Sequence, residues 1–321
     1  MRHSTLLLAA LLATMPSVSR ADNEMSARHA ARPVLSFVEM QSPNLAYNPL
    51  KTPPVEYKGL LTLKGKLSLP AAERGSQRRF PAVVILHGSS GVDSRGDFHA
   101  EALNAAGIAT LQIDMWEARG VVGLTNRPQV PIITYPDTFS ALRYLASRPD
   151  IDPQRIGVLG FSWGGVMAMA SATENVAANF GGTLRFKAHA ANYPVCFGYN
   201  NPNVPNSEFG RHANNPLTGA PILIQIGDKD DYDIGVGPCQ KLRASLIPEE
   251  RQKVEVVTYR DPVHGVCHAW DRLQIPVKAY DPFGHLGADR YDASARVDIQ
   301  PNVEKAYESR DRIVRFFKHR L

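Results

Sequence analysis

The stretch Val158-Leu159-Gly160-Phe161-Ser162-Trp163-Gly164-Gly165 decides how this chain is read. The apolar run Ile156 to Leu159 ends in G-x-S-x-G and passes into Val166-Met167-Ala168-Met169-Ala170, which is rich in good helix formers. That order predicts a strand, a sharp turn and a helix, the setting of a nucleophile elbow. A serine on such a turn projects its Oγ beyond the end of the sheet. Small residues two before and two after it let strand and helix approach closely. The bare motif is weak, and its weight comes from the flanking elements and from the partners downstream.

Outward from the elbow, strand-like and helix-like segments alternate. Gly59 to Leu69, Phe80 to Leu86, Ile108 to Ile113, Phe186 to Tyr193, Pro221 to Ile226 and Lys253 to Tyr259 read as strands. Helices are expected over Phe98 to Ala106, Pro136 to Ser147, Pro238 to Leu246 and Asn302 to His319. Alternation of this kind predicts an α/β fold, a mostly parallel central sheet with helices on both faces. Residues 22–57 carry Pro33, Pro43, Pro49, Pro53 and Pro54 with little periodicity, and read as an extended lead-in that drapes over the domain. The catalytic domain is expected over 58–321. Phe197 to Leu217 and Leu273 to Gln300 are long for connections inside one domain and are candidate lid or rim segments.

Composition narrows the class. With 44% hydrophobic and 21% charged residues in 321, the chain is ordinary globular protein, which excludes disordered and fibrous types. Arg2 and His3, the apolar run Leu6 to Met15 and the small residues around Ser19-Arg20-Ala21 read as a signal peptide over 1–21. Its removal takes away Arg2 and Arg20 and no acid, lowering the net charge of +5 by two. The expectation is therefore a periplasmic or secreted protein with no integral membrane segment in its mature form. The basic residues near the C-terminus are interleaved with apolar ones, as on a solvated helix face, and nucleic acid is not an expected partner. In an oxidising compartment Cys196, Cys239 and Cys267 would give one disulfide and one thiol. Cys196 with Cys239 is the favoured pairing, which sequence alone does not fix.

A serine hydroxyl needs a base to take its proton, and the base needs a third group to orient it. The acid candidates follow the strand Ile224-Gln225-Ile226 in Gly227-Asp228-Lys229-Asp230-Asp231. Asp230 is favoured because Gly-x-x-Asp places its carboxylate past a tight turn, with Asp231 a close rival and Asp228 a distant one. The base candidates are His264 and His268, and His268 is favoured by its place in the Ser, Asp, His order. Backbone N–H groups of Trp163 and of Ser89, in His87-Gly88-Ser89-Ser90-Gly91, are the expected oxyanion donors. Trp116, Trp163, Tyr193 and Trp270 are candidates to line an apolar pocket. His264, Cys267 and His268 cluster without a second ligand group at zinc-like spacing, so neither a metal nor another cofactor is expected.

With Gly160-Phe161-Ser162-Trp163-Gly164-Gly165, Gly227-Asp228-Lys229-Asp230-Asp231 and His268-Ala269-Trp270-Asp271 in hand, the chain resembles the dienelactone hydrolase family of α/β-hydrolases over roughly Gly59 to Leu321. The resemblance implies hydrolysis of a small-molecule ester or lactone through an acyl-enzyme. The name-giving enzymes carry Cys where this chain has Ser162, which shifts the expectation toward a broader carboxylesterase. Those enzymes hold a substrate carboxylate with Arg. Trp116-Glu117-Ala118-Arg119 looks similar to such a site, so Arg119 is either an anion contact or one side of a surface salt bridge. A peptidase or acyltransferase on the same fold, and a binding protein without turnover, are the rival readings.

Overall fold

The structure is a computed structural model that describes residues 33–51, 54–71, 78–123, 126–200, 215–274, 276–281, 284 and 295–321. The expected signal segment, 1–21, lies outside them. Eight strands form the central sheet: β1 (Val34–Tyr47), β2 (Val55–Leu69), β3 (Phe80–Leu86), β4 (Ala109–Asp114), β5 (Ile151–Phe161), β6 (Ala188–Asn192), β7 (Ile222–Gly227) and β8 (Val254–Tyr259). Their order across the sheet is β1-β2-β4-β3-β5-β6-β7-β8. β1 pairs antiparallel with β2, and β2 antiparallel with β4. From β4 to β8 every pairing is parallel. This is the α/β-hydrolase arrangement.

Burial explains which runs became central strands. All seven residues of β3 are buried, as expected of a strand flanked on both edges and covered on both faces. The helices fall into two groups on the two faces. α1 (Ser94–Ala105) packs with α8 (Val303–Arg320), while α2 (Tyr135–Ala146) packs with α3 (Trp163–Ala170) and α4 (Glu174–Gly181). The Asn302 side chain caps α8 by accepting the Lys305 N–H at 3.1 Å. Ala306, Ile313 and Phe317 are its buried apolar positions. Three short helices complete the connections: α5 (Phe197–Asn200), α6 (Gly237–Ser245) and α7 (Pro248–Arg251).

Two segments depart from the sequence expectation. The stretch read as a lead-in contains β1, and the boundary at 57/58 falls inside β2, so these residues belong to the sheet itself. Pro43 is accommodated by a register shift between Pro43 and Leu45 on what is the edge strand, the place where a missing N–H is tolerated. The second is Leu273 to Gln300, whose described part contains a small antiparallel sheet of β9 (Val277–Tyr280) and β10 (Arg296–Ile299). Of Phe197 to Leu217, residues 201–214 lie outside the described residues. No helix among the described residues is long and apolar enough to cross a membrane.

Candidate active site

Ser162 sits between β5 and α3 with φ 51° and ψ −112°. A non-glycine residue in that region is strained by roughly 1–3 kcal/mol and persists only where its surroundings fix it. Here the Ser162 N–H donates to Asn192 O at 3.0 Å and the Gly164 N–H to His87 O at 3.1 Å, tying the turn to both neighbouring strands. A Cβ on Gly160 would lie 1.9 Å from Gly164 O, and one on Gly164 would lie 2.2 Å from Leu86 O. Both positions therefore exclude a side chain, which is the physical content of the motif.

The three acids after β7 have separate partners. Asp228 Oδ1 accepts the Val266 N–H at 2.7 Å, and Asp231 Oδ2 accepts the Asp298 N–H at 2.6 Å. Asp230 is 1% exposed; its Oδ1 accepts the N–H groups of Tyr232 and Asp233 at 3.0 and 3.2 Å. Its Oδ2 takes the Nδ1–H of His268 at 2.7 Å. Orientation by Asp230 fixes the tautomer and leaves His268 Nε2 bare. That atom is buried and has no hydrogen-bond partner among the described residues. His264, the rival base, is largely exposed and 3.9 Å from Asp261.

His268 and Ser162 border one pocket at the carboxyl ends of the parallel strands. Ser89 borders it too. His87 braces this loop: its Nδ1–H donates to Gly88 O at 2.7 Å and its Nε2 accepts the Met115 N–H at 2.9 Å. Burial lowers its pKa to about 4, so the ring is neutral. Among the described residues, no protein acceptor takes the backbone N–H of Ser89 or of Trp163. The Trp163 N–H belongs to the first turn of α3, where the helix offers it no partner.

Other expectations need correction. Arg119 is neither an anion contact nor a surface pair: it is buried against Asp137, with Nη1 to Oδ2 at 2.7 Å and Nη2 to Oδ1 at 3.1 Å. Trp270 does not line the pocket; it is fully buried, its Nε1–H donates to Ser309 Oγ at 3.2 Å, and it packs on Tyr193 and Tyr259. Trp116 is likewise outside the pocket lining. Its Nε1–H donates to Ser89 O at 3.0 Å and its ring meets Trp163 edge-on, so it props the Ser89 loop from behind. An aromatic beside a motif suggests a pocket wall, but the indole N–H groups of Trp116 and Trp270 each have a protein acceptor.

Five pocket residues were not legible in the sequence: Arg95, Arg272, Tyr232, Ala279 and Ile299. Arg95 forms a two-pronged pair with Asp93, at 2.8 and 2.6 Å. Arg272 Nε lies 3.2 Å from the same carboxylate. The available signal for Arg272 was its place four residues after His268. Cys196 and Cys239 form a disulfide, and Asp233 beside them accepts the N–H groups of Cys196 and Phe197 at 2.8 and 2.7 Å. Cys267 is a buried thiol, pushed up to about 11 by burial and then by Asp231 and Asp298, so it holds almost no thiolate at neutral pH.

Comparison with known proteins places this geometry. A Bradyrhizobium sp. protein named "Probable 2-oxo-3-(5-oxofuran-2-ylidene)propanoate lactonase" is 28% identical over 165 residues, 48% of this chain and 61% of that protein. The chain thus spans less than two thirds of that relative's length. Among solved structures, a thermophilic esterase from Thermogutta terrifontis superposes with a TM-score of 0.54 at 16% identity, over 79% of this chain and 86% of that one. A dienelactone hydrolase-like promiscuous phosphotriesterase from metagenomic libraries gives 0.53 at 15%, over 89% and 98%. Both show a shared fold. The profile of the dienelactone hydrolase family matches residues 69–320. With most of its length inside that match, this chain belongs to the dienelactone hydrolase family.

Proposed function

We propose that this protein is an exported serine hydrolase that cleaves carboxylic esters or lactones through an acyl-enzyme. The observation that carries the reading is His268: Nδ1 on Asp230 at 2.7 Å, Nε2 buried without a partner, and the ring bordering the same pocket as the strained Ser162. In the reaction Ser162 Oγ attacks the carbonyl carbon while His268 Nε2 takes its proton. Asp230 holds the ring and stabilises the imidazolium. The N–H groups of Trp163 and Ser89 receive the tetrahedral oxyanion, and one such donor is worth about 3 kcal/mol. His268 then protonates the leaving alkoxide. Water, deprotonated by the same nitrogen, attacks the acyl group and frees Ser162.

The lactone half of the reading is supported by the name of the Bradyrhizobium relative. The role once expected of Arg119 passes to Arg95 and Arg272, which would meet a carboxylate on the acyl part. Export is supported by the signal-like residues 1–21 and by the buried Cys196–Cys239 disulfide, a bond that persists in oxidising compartments. The test is a panel of esters and lactones assayed with the purified protein and with Ser162→Ala. Turnover abolished in the variant is the expected result. Turnover retained by Ser162→Ala would overturn the reading.

A further inference from the structure

Tyr193 follows directly after β6, with a left-handed φ of 42° that a bulky residue adopts only under constraint. The constraints come from both ends of the side chain. Its backbone N–H donates to Gln225 O at 2.7 Å. At the far end its hydroxyl donates to Asp271 Oδ1 and accepts from Arg95 Nη1 at 3.3 Å. Asp271 is fully buried and takes two further donors, Asn192 Nδ2 and His99 Nε2, both at 3.0 Å. Burial would raise its carboxyl, but the His99 hydrogen bond and charge, with Arg95 and Tyr193, hold it below the usual carboxylate range. It is a fixed anion.

The Tyr193 ring, completely buried, stands edge-on to His268 with centroids 4.6 Å apart and planes at 61°. Tyr232 gives the imidazole a second aromatic neighbour at 4.4 Å. Asp271 comes only three residues after His268, and the turn between them carries Ala269 at φ 57°. That reversal lets one tyrosine touch the imidazole with its ring and the carboxylate with its hydroxyl.

We infer that Tyr193 is a positioning residue for His268 and that Asp271 locks it. This rests on the reading of His268 as the base. The Asp230 bond fixes one ring nitrogen but leaves the imidazole free to tilt about that bond. A wall pinned at both ends removes the tilt and keeps Nε2 at the pocket while the ring gains and loses a proton. Asp271 has no hydrogen bond to His268, so it acts through Tyr193.

The test uses Tyr193→Phe, which keeps the ring and removes the bond to Asp271, together with Asp271→Leu, which removes the acceptor, and the double variant. Each single change should lower kcat about tenfold with KM within about twofold, as expected of a misplaced catalytic group. The double variant should lose no more than the worse single, since both break one connection. Tyr199→Phe removes another buried tyrosine hydroxyl, bonded to Val166 O at 2.6 Å, and should leave kcat unchanged. The independent readout is the nitrogen NMR of His268: one sharp Nδ1–H tautomer in the parent, broadened or doubled signals in Tyr193→Phe. Unchanged kcat with an unchanged His268 signal in Tyr193→Phe would overturn the inference, as would losses that simply multiply in the double variant. Should Asp271→Leu fail to fold, Tyr193→Phe decides alone. If the parent hydrolyses nothing, the functional reading fails, and the His268 signal still decides the positioning.

Discussion

Asp230–His268 and Asp271–His99 are built from the same two residue types and lie close together, yet they are arranged for different work. Both are buried, with N···O distances of 2.7 and 3.0 Å, and in each the second ring nitrogen has no hydrogen-bond partner among the described residues. What differs is where that second nitrogen lies. His268 borders the pocket that holds Ser162, whereas His99 is 0% exposed and packed against Phe98 and Phe161. The carboxylates differ as well. Asp230 receives two backbone N–H groups from its own loop, and Asp271 receives three side chains from two other places in the chain, His99 and the adjacent Asn192 and Tyr193. An aspartate beside a histidine is therefore not a catalytic signature. Access of the free nitrogen to a nucleophile is what separates a candidate base from a structural cross-link.

The comparison breaks most clearly under paired substitution. His268→Gln should lower kcat by on the order of 10⁵-fold or more, the scale set by removing a base from a serine triad. His99→Gln should lower it less than about tenfold while reducing stability by about 1–3 kcal/mol through a lost buried hydrogen bond. Steady-state kinetics and denaturant unfolding of the two variants read this directly, and equal kinetic losses would erase the distinction. Next in size, Asp230→Asn should cost about 10⁴-fold in kcat by favouring the wrong tautomer. Asp231→Asn, whose carboxylate serves the Asp298 N–H, should not approach that loss.

Two smaller effects probe buried charge away from the pocket. Arg119→Met leaves Asp137 buried with only Ser42 Oγ, at 2.6 Å, as a side-chain partner, and should destabilise by about 3–5 kcal/mol with KM unchanged. A raised KM with full stability would return Arg119 to the substrate. His189 is a third kind of buried histidine, with no acid beside it. Its Nδ1–H donates to Ala168 O at 3.0 Å, and burial lowers its pKa from 6.5 to about 4. Between these values the unfolded chain binds a proton that the folded chain does not. The stability it supports is therefore present above pH 6.5 and lost as pH falls toward 4, by about 3 kcal/mol in all. His189→Gln should flatten the fall of Tm over that window, and an identical profile would contradict the assignment.

The elbow and its partners were legible because each rests on a local rule. An apolar strand must stop at the glycines flanking Ser162, and Asp230 and His268 follow later strands in a fixed order. β1 was hidden by Pro43, which reads as a loop signal until the strand is known to be an edge. The faults in the pocket share one cause. Their neighbours in sequence point Arg119, Trp116 and Trp270 at the substrate, but their polar atoms bond Asp137, Ser89 and Ser309, partners that only the fold brings near. Arg95 and Arg272 reach the pocket wall by the same tertiary logic, converging on Asp93 from α1 and from the turn after His268.

Covalent labelling reports directly on whether Ser162 is an activated serine. The purified protein would be treated with a fluorophosphonate probe, digested, and the modified peptide located by mass spectrometry. A single adduct on Ser162 is expected, formed at a rate that collapses in His268→Gln and persists in His99→Gln. A folded protein that takes no label, or takes it on a residue other than Ser162, would contradict it.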